Sequence, residues 1–186
     1  MGTKRTDPDK IALGSGKAYV MEYDASTGIP SETDICKPEN LLGKIKSGAQ
    51  LTYTAETHEE KDDLQTVSKI VIVAEEALLK LGIITFNGKT LAKLADRCKS
   101  TEAAGKRTTK IGGAGNAQGK EWVFCFHHED KVDGDIWVIV RGPNQAGLTL
   151  TYAVDAGTVL EPEIKAQPQD NDGTLITYIE EIGAAS

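Results

Sequence analysis

Residues 147–181 read GLTLTYAVDAGTVLEPEIKAQPQDNDGTLITYIEE. Leu148, Leu150, Tyr152 and Val154 alternate with Thr149, Thr151 and Ala153, the period-two pattern of a strand with one buried face. Asp155-Ala156-Gly157 supplies a turn, and Thr158 to Ala166 reads as a second strand. Asn171-Asp172-Gly173 makes another turn before a third strand from Thr174 to Glu180; Gly, Asn and Asp tolerate the backbone angles that tight turns require. No residue in this segment is placed for catalysis. It builds surface and packing, which points to a structural role.

Upstream the same grammar continues. Ile136 to Val140 (IWVIV) is continuously apolar, as expected of a strand covered on both faces. In Trp122 to His128 (WVFCFHH), Trp122, Phe124 and Phe126 alternate with Val123 and Cys125. Ser100 to Gly119 is a polar, Gly-rich stretch without a clear period. Between Thr90 and Cys98 the period changes. Leu91, Leu94, Ala95 and Cys98 fall on one face of an amphipathic helix, with Asn87 as its N-cap and Cys98 as a small core residue. Ala77 to Phe86 (ALLKLGIITF) fits helix or strand by periodicity; its β-branched end and the following Asn87-Gly88 favour strand.

Nearer the start, Lys17 to Tyr23 reads as a first strand and Asp24 to Asn40 as an irregular loop. Lys44 to Ser47 begins a strand that resumes at Gln50 and runs to about Thr57. Thr66 to Val73 (TVSKIVIV) is another. Between them lies the charged patch His58, Glu59, Glu60, Lys61, Asp62 and Asp63. Two strands around such a patch predict a long hairpin with a solvated tip at about residues 57–66. The plain reading of the tip is an exposed loop; the sharper one is an arm that orders against a neighbouring subunit. The chain thus holds about eight strands and one helix, mostly antiparallel: a β-sandwich or partly rolled barrel with a flanking helix. Residues 1–16 read as a flexible arm, 17–182 as a single domain and 183–186 as a tail.

Composition bounds the function. A chain of 186 residues with 39% hydrophobic and 26% charged residues buries a real core. No apolar run approaches the roughly 18 residues needed to cross a bilayer, and the basic N-terminus lacks the apolar stretch of a secretory signal. Gly2 and Thr6 match a myristoylation spacing without a second membrane signal beside it. No membrane partner is expected. Cys36, Cys98 and Cys125 are odd in number and far apart, which argues for a reducing compartment rather than a disulfide framework. A net charge of −7 opposes gripping nucleic acid.

Catalytic signatures are missing. Gly14-Ser15-Gly16-Lys17 lacks the first glycine and the final hydroxyl of a phosphate loop, with Ile11 and Ala18 in their places. Gly112-Gly113-Ala114-Gly115 lacks the strand-to-helix context of a dinucleotide site. Cys125 and His127 would share one side of a strand and His128 the other, too few convergent ligands for zinc. Ser15 and Ser31 sit in loops with no triad signature, and the acidic runs look solvated. The expectation is no enzyme, no cofactor and no metal.

The order of motifs resembles the major tail tube proteins of tailed bacteriophages and prophages. The matching pieces are Glu39 to Ala49 (ENLLGKIKSGA) leading into a strand, Glu75 to Phe86 with its Leu-Lys-Leu-Gly-Ile centre, and the helix start at Thr90 to Ala95. Glu161 to Pro168 (EPEIKAQP) and Gly173 to Ile176 complete the series. The resemblance implies a β-sandwich with a flanking helix whose copies, six in the family, form rings that stack into a hollow tube for DNA delivery. The hairpin carrying His58, Glu59, Glu60, Lys61, Asp62 and Asp63 would touch the next ring, and the termini would help lock rings together. Its implied partners are further copies of itself, a tape measure protein, and tail terminator or baseplate proteins. DNA would pass without specific binding, and the protein would be made in the bacterial cytoplasm and end in the virion tail. An acidic bore would repel phosphate within a Debye length of about 8 Å, with Glu161 and Glu163 as lumen candidates. Trp122 to Gly142 departs most from the family pattern. Two alternatives stand beside this reading. One is the tube ring of a contractile bacteriocin or type VI-like injection apparatus. The other is a glycan- or receptor-binding module, although aromatics are only 5% and Trp122 and Trp137 lie in apolar strands.

Overall fold

The computed structural model describes residues 16–182, apart from residues 62, 64, 65, 67 and 131–133. The expected N-terminal arm up to residue 15, the C-terminal tail and Asp62 lie outside the described residues. The strands are β1 (Gly16–Glu22), β2 (Leu41–Lys61), β3 (Ser68–Ile83), β4 (Cys98–Ala103), β5 (Lys106–Ile111), β6 (Trp122–His128), β7 (Ile136–Arg141), β8 (Glu163–Lys165) and β9 (Thr177–Glu180). A one-turn helix α1 (Glu32–Ile35) follows β1, and the main helix α2 (Gly88–Leu94) follows β3. The fold is mostly β, as the turn density implied.

Seven strands form one antiparallel sheet in the order β8-β3-β2-β1-β6-β7-β9, and β4 and β5 make a separate hairpin. The large sheet rolls up. Beyond β7 the backbone runs past β8: Gln167 N donates to Arg141 O at 2.8 Å, Lys165 N to Pro143 O at 3.0 Å and Gln145 N to Glu163 O at 2.8 Å. The other edge of β8 bonds β3 from Leu78 to Lys80, so β8 closes the sheet into a barrel and removes two open edges. Closure depends on a close backbone approach at Gly142, whose φ is +155° and where a Cβ would lie 1.9 Å from Lys165 O.

Alternation sorts the side chains into two apolar layers. Ala18, Val20, Leu79, Leu81, Phe124, Val138, Val140 and Ile164 fill the inner cluster, joined by Leu91 and Leu94 of α2. Tyr19, Val123, Cys125 and Ile139 face outward and are covered by Ile35, with Cys36 and Ile29 packed beside them. This second layer explains why β7 is apolar from Ile136 to Val140: both its faces are covered.

Several boundaries differ from the sequence expectations. Residues 148–154 form no strand; Leu148 and Leu150 pack on the inner cluster, but Tyr152 and Val154 are fully or largely exposed. The sheet edges this segment would need are taken, that of β3 by β8 and that of β7 by β9. The expected strand from Thr158 to Ala166 contracts to β8 and an isolated bridge between Leu160 and Ile83. Pro162 between them has no N–H to donate. Asn87 does cap α2, accepting from Lys89 N at 2.8 Å, but the helix ends at Leu94 and buried Cys98 opens β4. The polar stretch after Ser100 folds as the β4–β5 hairpin around Ala104-Gly105, both at positive φ. Inside the expected loop of residues 24–40, Ser31 caps α1 by accepting from Asp34 N at 3.2 Å.

Candidate interaction surface

β2 and β3 pair from Ala49↔Leu81 to Lys61↔Ser68, with one shift of register on the way. At their base Ala77, Leu79 and Leu81 point into the core. From Glu75 outward to Ser68 every residue of β3 is exposed, so about 26 Å of hairpin extends past the barrel at ~3.3 Å per residue. Along this arm Ile70 is 63% exposed, Ile72 60%, Val73 56% and Val71 41%. The pairing passes from Glu56↔Ala74 to Thr57↔Ile72 and leaves Val73 as the extra residue of a bulge, which bends and twists the ribbon. Because neighbouring strand residues face opposite ways, Ile70 and Val71 place apolar surface on both faces of the arm.

The charged patch lies on β2 opposite this apolar run. His58, Glu59, Glu60 and Lys61 belong to the strand, paired with Val71, Ile70, Lys69 and Ser68. The strand therefore extends four residues past the expected end at Thr57. Same-face spacing allows two ion pairs along it, His58 Nε2 to Glu60 Oε2 at 2.9 Å and Lys61 Nζ to Glu59 Oε2 at 3.3 Å. Exposed pairs of this kind contribute ~0–1 kcal/mol each, so cross-strand pairing carries the extension. Asp63 lies in the turn. Each face of the arm thus sets a β-branched side chain beside a charged one.

The lumen candidates are less alike than their spacing suggested. Glu161 is exposed just before β8, whereas Glu163 is partly buried within β8 and pairs with Lys80 Nζ at 3.4 Å. Neither indole is an open platform. Lys93 and Lys120 each place an ammonium 5.9 Å from the Trp122 ring centroid, and His127 stacks on Trp137 at 5.0 Å.

A second cluster lies under α1. Cys36, the C-cap of that helix, holds its Sγ 3.9 Å from Cys125 Sγ on β6. Two residues along β6, His127 Nε2 meets Asp135 Oδ2 at 2.8 Å, and Asp135 Oδ1 accepts from Asp130 N at 2.9 Å. Hydrogen bonding from Cys125, helped by His127 and Trp137 and opposed by burial, draws the Cys36 thiol down from 9.0 to about 6. The Cys125 thiol is pushed far up by the adjacent Cys36 sulfur and by burial. For His127 burial opposes the charged form, yet Cys36 and Asp135 together raise its pKa. Sequence reading placed Cys125 and His127 on one side of their strand but had no signal for Cys36 or Asp135. Among the described residues no group of three or more His, Cys, Asp or Glu side chains is arranged to hold a metal ion, and no helix is long and apolar enough to cross a membrane. No family model matches the chain, and no curated protein matches it.

Proposed function

We propose that the protein is a self-assembling structural subunit, the ring-forming component of a phage tail tube, whose stacked rings provide a conduit for DNA. The observation that carries this reading is the arm: paired strands projecting from a closed barrel, with Ile70 to Val73 uncovered on both faces. An apolar ribbon with free edges is an aggregation hazard for a solitary molecule and a docking element for identical copies. The placement of charges beside apolar residues suits a neighbour that repeats the same pattern. The sequence resemblance supplies the geometry of six-membered rings, the arm meeting the next ring, and the tape measure, terminator and baseplate proteins as further partners. The site of action is then the virion tail, after synthesis in the host cytoplasm.

Negative-stain microscopy of the purified protein tests the reading directly. Rings or tubes are the expected result, and a species that stays monomeric at high concentration overturns it. Ile70→Asp combined with Ile72→Asp should abolish assembly while leaving the barrel folded, because both side chains lie outside the core.

A further inference from the structure

The Cys36–Cys125 cluster lies at the end of α1 and on β6 rather than on the β2–β3 arm. Cys125 is completely buried, Cys36 is partly open to solvent, and their sulfurs stand 3.9 Å apart. A disulfide needs about 2.0 Å between sulfurs, so from 3.9 Å the two must approach by about 1.9 Å. The Cys125 thiol faces the Cys36 sulfur, and the nearby His127 imidazole and Trp137 indole add to its effect in lowering the Cys36 pKa. Asp135 fixes the imidazole through Nε2, while His127 Nδ1 is buried and makes no conventional hydrogen bond. Donors converging on one accessible sulfur favour its thiolate, the reactive form. Cys98 offers the contrast: it is fully buried in the inner cluster, and burial alone pushes its thiol up.

We propose that Cys36 and Cys125 form a peroxide-reactive dithiol site, in which Cys36 is the attacking thiolate and Cys125 the resolving thiol. The Cys36 sulfur attacks one oxygen of hydrogen peroxide. An S–O bond forms, the O–O bond breaks, and hydroxide leaves to take up the proton that Cys36 lost on ionising. The Cys125 sulfur then displaces the new hydroxyl from Cys36. The S–S bond forms, the S–O bond breaks, and the Cys125 proton departs with the hydroxyl as water. Two thiols are oxidised and one peroxide is reduced to water. The product joins the end of α1 to β6 and fastens the 24–40 segment over the outer apolar layer.

Mass spectrometry of the reduced, full-length protein after exposure to hydrogen peroxide tests the site. The expected product is lighter by about 2 Da, the loss of two hydrogens. It should keep one alkylatable thiol, Cys98, and yield a linked peptide containing Cys36 and Cys125. Its melting temperature should exceed that of the reduced protein and return to the reduced value with dithiothreitol. Cys36→Ser should give no such product; Cys125→Ser should leave Cys36 carrying added oxygen instead. Should Cys125→Ser fail to fold, the wild-type mass and peptide map still decide. Retention of all three alkylatable thiols, oxygen added to wild-type Cys36 without a bridge, or a bridge between chains overturns the proposal.

Discussion

A thiol drawn to a pKa of about 6 reacts differently from an ordinary cysteine. The iodoacetamide rate at Cys36 should climb as pH rises through about 6 and then level off, because the thiolate is the nucleophile. The groups that set this profile are Cys125 and His127 on β6, Trp137 on β7 and Asp135 just before it. Replacing His127 with Ala removes one donor, so the profile should move to higher pH; an unmoved profile would show that the imidazole does not stabilise the thiolate. Gly142 makes a second prediction. A methyl group there meets the Lys165 carbonyl at 1.9 Å, so Gly142→Ala should lower stability by about 3 kcal/mol, read from the urea midpoint. Local residue chemistry was legible: Asn87 was read as a cap because capping needs only its own neighbours. Cys36 and Cys125 are 89 positions apart, and no local pattern reports that they meet.

The β2–β3 arm shows what alternation reveals and what it misses. Both of its strands were expected, from Gln50 to about Thr57 and from Thr66 to Val73, but Ile70 to Val73 lie exposed. Hydrophobicity records that a surface will be covered, not whether the same molecule covers it. Hydrogen exchange should therefore separate the two states of the arm. Amides from Ser68 to Glu75 should exchange fast in dispersed protein and become protected on assembly; equal rates in both states would remove the arm from the interface. The β4–β5 hairpin escaped notice for the opposite reason, since its Thr, Lys and Ser side chains are mostly solvated and show no apolar period. Residues 148–154 alternate as a strand should, yet join no strand among the described residues, because sheet edges are allotted by the rest of the fold.

The chain carries a net charge of −7, so identical copies repel until contacts or salt offset the field. Ring formation should strengthen when ionic strength rises from about 0.05 M to 0.5 M, as the Debye length contracts to a few ångströms; light scattering across that range checks it. Fold class was legible because short turns between strands leave few architectures open. Closure was not, since it rests on three backbone bonds between residues 141–145 and 163–167. Oxidation of Cys36 and Cys125 would close a loop spanning 89 positions, which the chain-entropy account values at about 4.5 kcal/mol.

The late position of β8 also governs how the molecule comes into being. Glu163–Lys165 pairs with Leu78–Lys80 on one side and with Pro143 and Gln145 on the other, so both sets of bonds must wait until the ribosome has added residue 165. Folding cannot finish until that short strand emerges and slots between them. Such remote pairings are slow to find, on the order of milliseconds to seconds, and a nascent chain stalled before residue 160 should remain open to protease along β3.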